Sequence, residues 1–188
     1  LAGSGPVDRD GNLPGMRNQS LALLAHGLAQ HGIASLRADK RGVGASMKLP
    51  EEQLRFQTYV ADALGWLVAL RAQPRVGGVG LIGHSEGGQI APLLAAQDPR
   101  IAFLVLMAAP GVKGVDLLAA QNRALFSASG VPDDQIDILL NNRLAWWRAA
   151  RDASSETTAR VELNALLDRQ GLPADSPQRP QILALASP

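Results

Sequence analysis

The chain contains no cysteine, which excludes disulfides and thiol catalysis but leaves the compartment open. Aromatic residues make up 4% of it and the formal net charge is +1, with no basic run. A nucleic-acid surface is therefore not expected. No stretch of eighteen apolar residues occurs, so no membrane-spanning helix is expected. Histidine is scarce, with three in the whole sequence. What is present is ample apolar material, 46% of 188 residues, enough for one well-packed domain. The sequence opens on Leu1 rather than methionine and shows no signal-peptide pattern, which reads as a portion of something longer.

The first part alternates strand and helix patterns. Leu1-Ala2 reads as the tail of a strand, followed by a turn over residues 3–6 and a polar loop over 8–12. Residues 16–31 place Leu21, Leu24, Ala25 and Leu28 on one helical face, with Gly32 as the stop. Residues 33–38 read as a strand and 39–46 as a glycine-bearing loop. Residues 51–72 read as a second helix through Val60, Leu64, Leu67 and Val68. A strand over 79–82, a helix from Gly88 and an unbroken apolar strand over 101–108 follow. Such alternation is the mark of a parallel sheet covered by helices. From Gly111 the pattern changes to three successive helices, over 116–129, 132–151 and 155–170, with no strand between them. Inserted after a core strand, they read as a cap over the sheet's carboxyl edge, with ordinary packing helices as the alternative. Residues 173–180 form a proline-rich stretch, and no fixed-period repeat is visible.

Across the junction from the 79–82 strand to the next helix runs Gly83-His84-Ser85-Glu86-Gly87. G-x-S-x-G in that context is a nucleophile elbow: a sharp turn that pushes the serine hydroxyl clear of the backbone, with glycines where strand and helix approach closely. Ser85 is the expected nucleophile. The backbone N–H of Glu86 is the expected first oxyanion donor. Ser4, in the glycine-rich turn after Leu1-Ala2, is the candidate for the second. Residues 78–83 also spell G-x-G-x-x-G. That dinucleotide fingerprint belongs after a strand, whereas here it lies within one, so no nucleotide cofactor is expected.

The general base does not emerge from the same reading. In this fold the triad runs serine, acid, histidine, yet His26, His31 and His84 all precede Ser85. His84 reads as an elbow-packing residue, and His26 and His31 as ordinary residues of the first helix. The acids after Ser85, among them Asp116, Asp133, Asp137 and Asp168, fall in the helical insertion, where capping and solvated-face roles account for them. Asp39 and Arg41 are expected to pair with one another and tie their loop together. Asp8, Arg9 and Asp10 receive a similar structural reading.

With residues 3–12, Asp39-Lys40-Arg41-Gly42-Val43-Gly44-Ala45-Ser46 and Gly83-His84-Ser85-Glu86-Gly87-Gly88 in that order, the chain resembles bacterial α/β-hydrolases. It looks like the serine esterases related to the dienelactone hydrolase and serine aminopeptidase (S33-like) branches, over roughly residues 1–110. The resemblance implies a three-layer α/β-hydrolase fold with a helical cap, and cleavage of small carboxylic esters through an acyl-enzyme on Ser85, without metal or organic cofactor. It also implies that residues 3–5 form the oxyanion loop. The family continues past its cap into strands carrying the acid and the histidine, and begins with strands that this chain lacks. The expected organisation is thus a partial core over 1–110, a cap over 111–180 and the start of a return to the core over 181–188. An amidase or aminopeptidase, or a binding protein on a hydrolase scaffold, are the alternatives. Self-association, or a complementing C-terminal segment, is expected along the apolar strand over 101–108.

Overall fold

The computed structural model describes residues 1–46, 48 and 54–186. It divides into two units, Leu1–Gly111 and Val112–Pro188.

The centre of the first unit is a pair of parallel strands, β1 (Val79–His84) and β2 (Ile101–Met107). They are joined by α3 (Glu86–Gln97), the crossover that parallel pairing requires. Val79 faces Ile101 and His84 faces Met107, with one irregularity in register between Val79 and Leu81. Alternate residues of β1 are buried. Val79 and Leu81 pack with Ile90, Ala91 and Leu94 of α3 and with Ala63 and Leu67 of α2 (Phe56–Arg71). On β1's other side, the Leu1 amino group donates to Ile82 O at 2.6 Å and His84 N–H donates to Leu1 O at 3.0 Å. This is the alternating pattern of a parallel ladder, so Leu1 behaves as the expected strand tail.

Three expectations for this unit change. The helix read over 16–31 is α1, Ser20–Gln30; Leu13 and Met16 instead form an antiparallel bridge, and Gln19 takes φ 53° immediately before the helix. A left-handed residue there ends any continuation toward Met16. The helix read over 51–72 begins at Phe56; residues 51–53 lie outside the described residues. The strand read over 33–38 enters no ladder among the described residues. Strand composition is not a strand until a neighbour supplies hydrogen bonds, and Ile33 and Leu36 are exposed.

The second unit is helical: α4 (Gly114–Ala128), α5 (Asp133–Asp152), α6 (Glu156–Arg169), α7 (Arg179–Leu183) and a 3-10 turn over Ala184–Ala186. The expected three-helix run is present, each helix shifted by a residue or two at its ends. Pro132 sits just before α5 rather than inside it, with Asp133 and Asp134 in the first turn, where acids complement the helix dipole. Ser155 caps α6, its hydroxyl accepting from Thr158 N–H at 3.1 Å. Ala159, Leu163 and Leu167 of α6 form the core with Ile182 and Ala186, flanked by Trp146. Trp146 also donates to Gln170 Oε1 at 2.7 Å. Residues 179–186 are therefore helical and packed within this unit; 187 and 188 lie outside the described residues.

Candidate active site

β1 ends at His84 and α3 begins at Glu86, leaving Ser85 alone to make the turn. Its backbone takes φ 51°, ψ −114°, a strained conformation for a residue with a Cβ. It is held there from both ends: Ser85 N–H donates to Met107 O at 2.9 Å, and Ser85 O accepts from Gly88 N–H at 2.9 Å. The motif's glycines are demanded by space. A Cβ on Gly83 would overlap the Gly87 carbonyl, one on Gly87 the Leu1 carbonyl, and one on Gly88 the Ala109 side chain. The tandem glycines of the dinucleotide-like pattern have an equally local reason, since Gly80 and Gly83 both lie in β1 and the Phe103 ring covers Gly80.

The Leu1 ladder delivers the turn over residues 3–6 to this elbow. A Cβ built on Gly3 would stand 3.3 Å from Ser85 Cβ and 3.1 Å from His84 Nδ1. Ser4 follows at once and is exposed. Glu86, at the first position of α3, has a backbone N–H with no intrahelical acceptor. Ser85, Glu86 and the residues either side of the Gly3–Ser4 peptide therefore share one small region.

The charges beside the elbow pair differently from expectation. Asp39 does not bind Arg41. It accepts from Arg9, through Nε at 3.1 Å, Nη2 at 2.5 Å and the backbone N–H at 2.7 Å. The Arg9 guanidinium lowers the Asp39 pKa to about 2. Arg41 instead pairs with Asp62 of α2. Arg37 reaches Asp10 at 2.7 Å, and Asp8 accepts from the N–H groups of Asp10 and Asn12 and from the Asn12 side-chain amide. The Asn12 amide is the largest cause of a lowered Asp8 pKa. Lys40, within the same motif, donates to Glu86 Oε2 at 2.6 Å and to Gly3 O at 3.0 Å. No pattern in the sequence flags that pairing, because its partners are 46 and 37 residues away.

Among the described residues no hydrogen bond joins a histidine to the Ser85 side chain. His26 and His31 are exposed at α1. The His84 ring lies over Gly3. Among the described residues no hydrogen bond is formed to the Ser85 hydroxyl. Four acids of the second unit are engaged locally: Asp137 with Arg123, Asp168 with Arg179, Glu156 with Arg160 and Asp152 with Arg151 at 2.7 Å. Among the described residues no group of three or more His, Asp or Glu is placed to hold a metal ion. A surface hollow of about 350 Å³ between the 39–46 loop and α2 is lined by Asp39, Asp62 and Trp66 and includes none of Ser4, Ser85 and Glu86.

The family model for serine aminopeptidase S33 (Hydrolase_4) matches residues 15–162, more than half of the chain and including Ser85. No curated protein matches the chain.

Proposed function

The chain belongs to the serine aminopeptidase S33 family of the α/β-hydrolases, and from that premise we propose that it carries the nucleophile of a serine hydrolase that cleaves carboxylic esters through an acyl-enzyme on Ser85. The observation that carries this reading is the Ser85 backbone at φ 51°, ψ −114° between β1 and α3. Such a turn holds a hydroxyl clear of the sheet edge, where a carbonyl carbon can approach it. In this reading the Ser85 oxygen attacks the ester carbonyl and its proton passes to a general base. The C–O bond to the alcohol then breaks as the leaving group takes that proton. Water, deprotonated by the same base, releases the acid and restores Ser85. The N–H groups of Ser4 and Glu86 hold the oxyanion in both steps. His26, His31 and His84 do not follow Ser85 in the chain and are not assigned as that base.

A second reading, amide or peptide cleavage at the same serine, is favoured by the description of the matching family as an aminopeptidase. The same intermediate serves both leaving groups.

The test is fluorophosphonate labelling of the protein. The adduct is expected on Ser85, within the tryptic peptide of residues 76–100, and absent from Ser85→Ala. That variant should lose turnover of a p-nitrophenyl ester by about 10⁴-fold or more. Equal turnover of the matching p-nitroanilide would move the assignment to the amidase reading. Absence of an adduct on Ser85 in that material would overturn both in favour of a non-catalytic scaffold.

A further inference from the structure

Three segments meet at one ammonium group. Lys40 Nζ lies 2.6 Å from Glu86 Oε2 and 3.0 Å from Gly3 O, and 4.1 Å from the centroid of the Tyr59 ring on α2. Its side chain is 10% exposed and that of Glu86 20%. A lysine with this little water left needs both a counter-charge and hydrogen-bond acceptors; Glu86, Gly3 and the face of Tyr59 supply them. The backbone of Lys40 is fixed as well, its N–H donating to Val7 O at 3.2 Å.

The two partners that hydrogen-bond this lysine are connected to the two proposed oxyanion donors. Glu86 carries one of those N–H groups itself. The Gly3 carbonyl belongs to the same peptide unit as the Ser4 N–H, and no cis peptide is present among the described residues. In a trans peptide the C=O and N–H point in opposite directions. A grip on Gly3 O therefore fixes where the Ser4 N–H points, and a cation on the carbonyl side polarises that N–H into a stronger donor. We propose that Lys40 is a positioning residue: its ammonium clamps the Gly3–Ser4 peptide to the Glu86 side chain and so sets both oxyanion donors together. This rests on the reading of Ser85 as nucleophile with Ser4 and Glu86 as donors. Glu86 has a second effect, since its carboxylate neutralises the lysine and leaves the anion of the intermediate to the peptide dipoles.

Lys40→Met and Lys40→Arg test the clamp in two readouts. In ¹⁵N-resolved spectra of the 188-residue chain, Lys40→Met should shift the Ser4 and Glu86 amide resonances together and accelerate exchange of the Ser4 N–H, while amides of α6 stay in place. In ester turnover, Lys40→Met should lower kcat by about 10²-fold, as loss of an oxyanion donor does, with KM within about twofold. Lys40→Arg, which keeps the charge, should recover part of the loss. Glu86→Gln, which keeps a hydrogen-bonding side chain of the same length, should move the Ser4 amide in the same direction, and it stands in if Lys40→Met fails to fold. The proposal is overturned by a folded Lys40→Met with unchanged kcat, or by Ser4 and Glu86 amides that do not move. If Ser85→Ala turns over ester as fast as the parent, the nucleophile reading has failed instead, and the amide shifts alone then decide whether the clamp exists.

Discussion

At the scale of single residues, the elbow is defined by where side chains cannot be. Gly83, Gly87 and Gly88 each face a backbone or side-chain atom where a Cβ would go, whereas Gly27, inside α1, has nothing within 4 Å of that position. Substituting alanine should therefore act in opposite directions. Gly83→Ala is expected to destabilise by about 1–3 kcal/mol through overpacking. Gly27→Ala is expected to stabilise by about 0.5–1 kcal/mol through helix propensity. Urea midpoints of the two variants check both signs, and a neutral Gly83→Ala would mean that the β1–α3 approach is looser than the structure has it. Ser85 was legible in the sequence because an elbow's requirements are local: five consecutive residues state them. The ion pairs were not. Sequence proximity suggested Asp39 with Arg41, but a charge pair needs nearness in space, and the actual partners, Arg9 and Asp62, lie 30 and 21 residues away. The Lys40–Glu86 pair is hidden for the same reason, its partners being 46 residues apart.

At the scale of elements, the helices of the second unit depend on a narrow stripe. Leu163 and Leu167 of α6 are fully buried, against Ile182 and Ala186. Leu163→Ala should cost about 2–5 kcal/mol, the range for a leucine removed from a packed core. Chemical denaturation read by the fluorescence of nearby Trp146 would register it, and a loss below 1 kcal/mol would show that the site collapses around the gap. The helices were legible because apolar periodicity and caps, such as Ser155 ahead of α6, are written into short stretches. The strand expected over 33–38 was not borne out, since a ladder depends on a second segment and no pattern within six residues can report whether one is there. The premature start assigned to α1 has a similar cause: the helical pattern extended to Met16, but the Leu13–Met16 bridge and the left-handed Gln19 interrupt it.

At the scale of the whole molecule, acid is the natural probe, because carboxylates in both units are held ionised by arginines. Asp39 is lowered to about 2 by Arg9, and Asp98 is lowered by Arg100 and Arg71. Asp152 is lowered by Arg151. A carboxyl group whose pKa is lower in the folded state stabilises it fully above its unfolded pKa, near 3.8 for Asp39, and loses that contribution as pH falls through the folded value. Stability should thus hold from neutral pH to about 4 and decline between about pH 4 and pH 2. Asp39→Asn should be less stable than the parent at pH 6 and approach it near pH 2. Urea midpoints across that range would show the convergence, and a constant gap at every pH would remove the Arg9–Asp39 pair as its source.

The left-handed serine also bears on how such a protein changes over generations. Glycine at position 85 would relieve the turn that a Cβ makes costly, so any drift toward a more stable chain erases the hydroxyl unless selection keeps it. The position works as a one-way door. A lineage released from the need for a nucleophile passes through it by gaining stability, and returns only by giving that stability back.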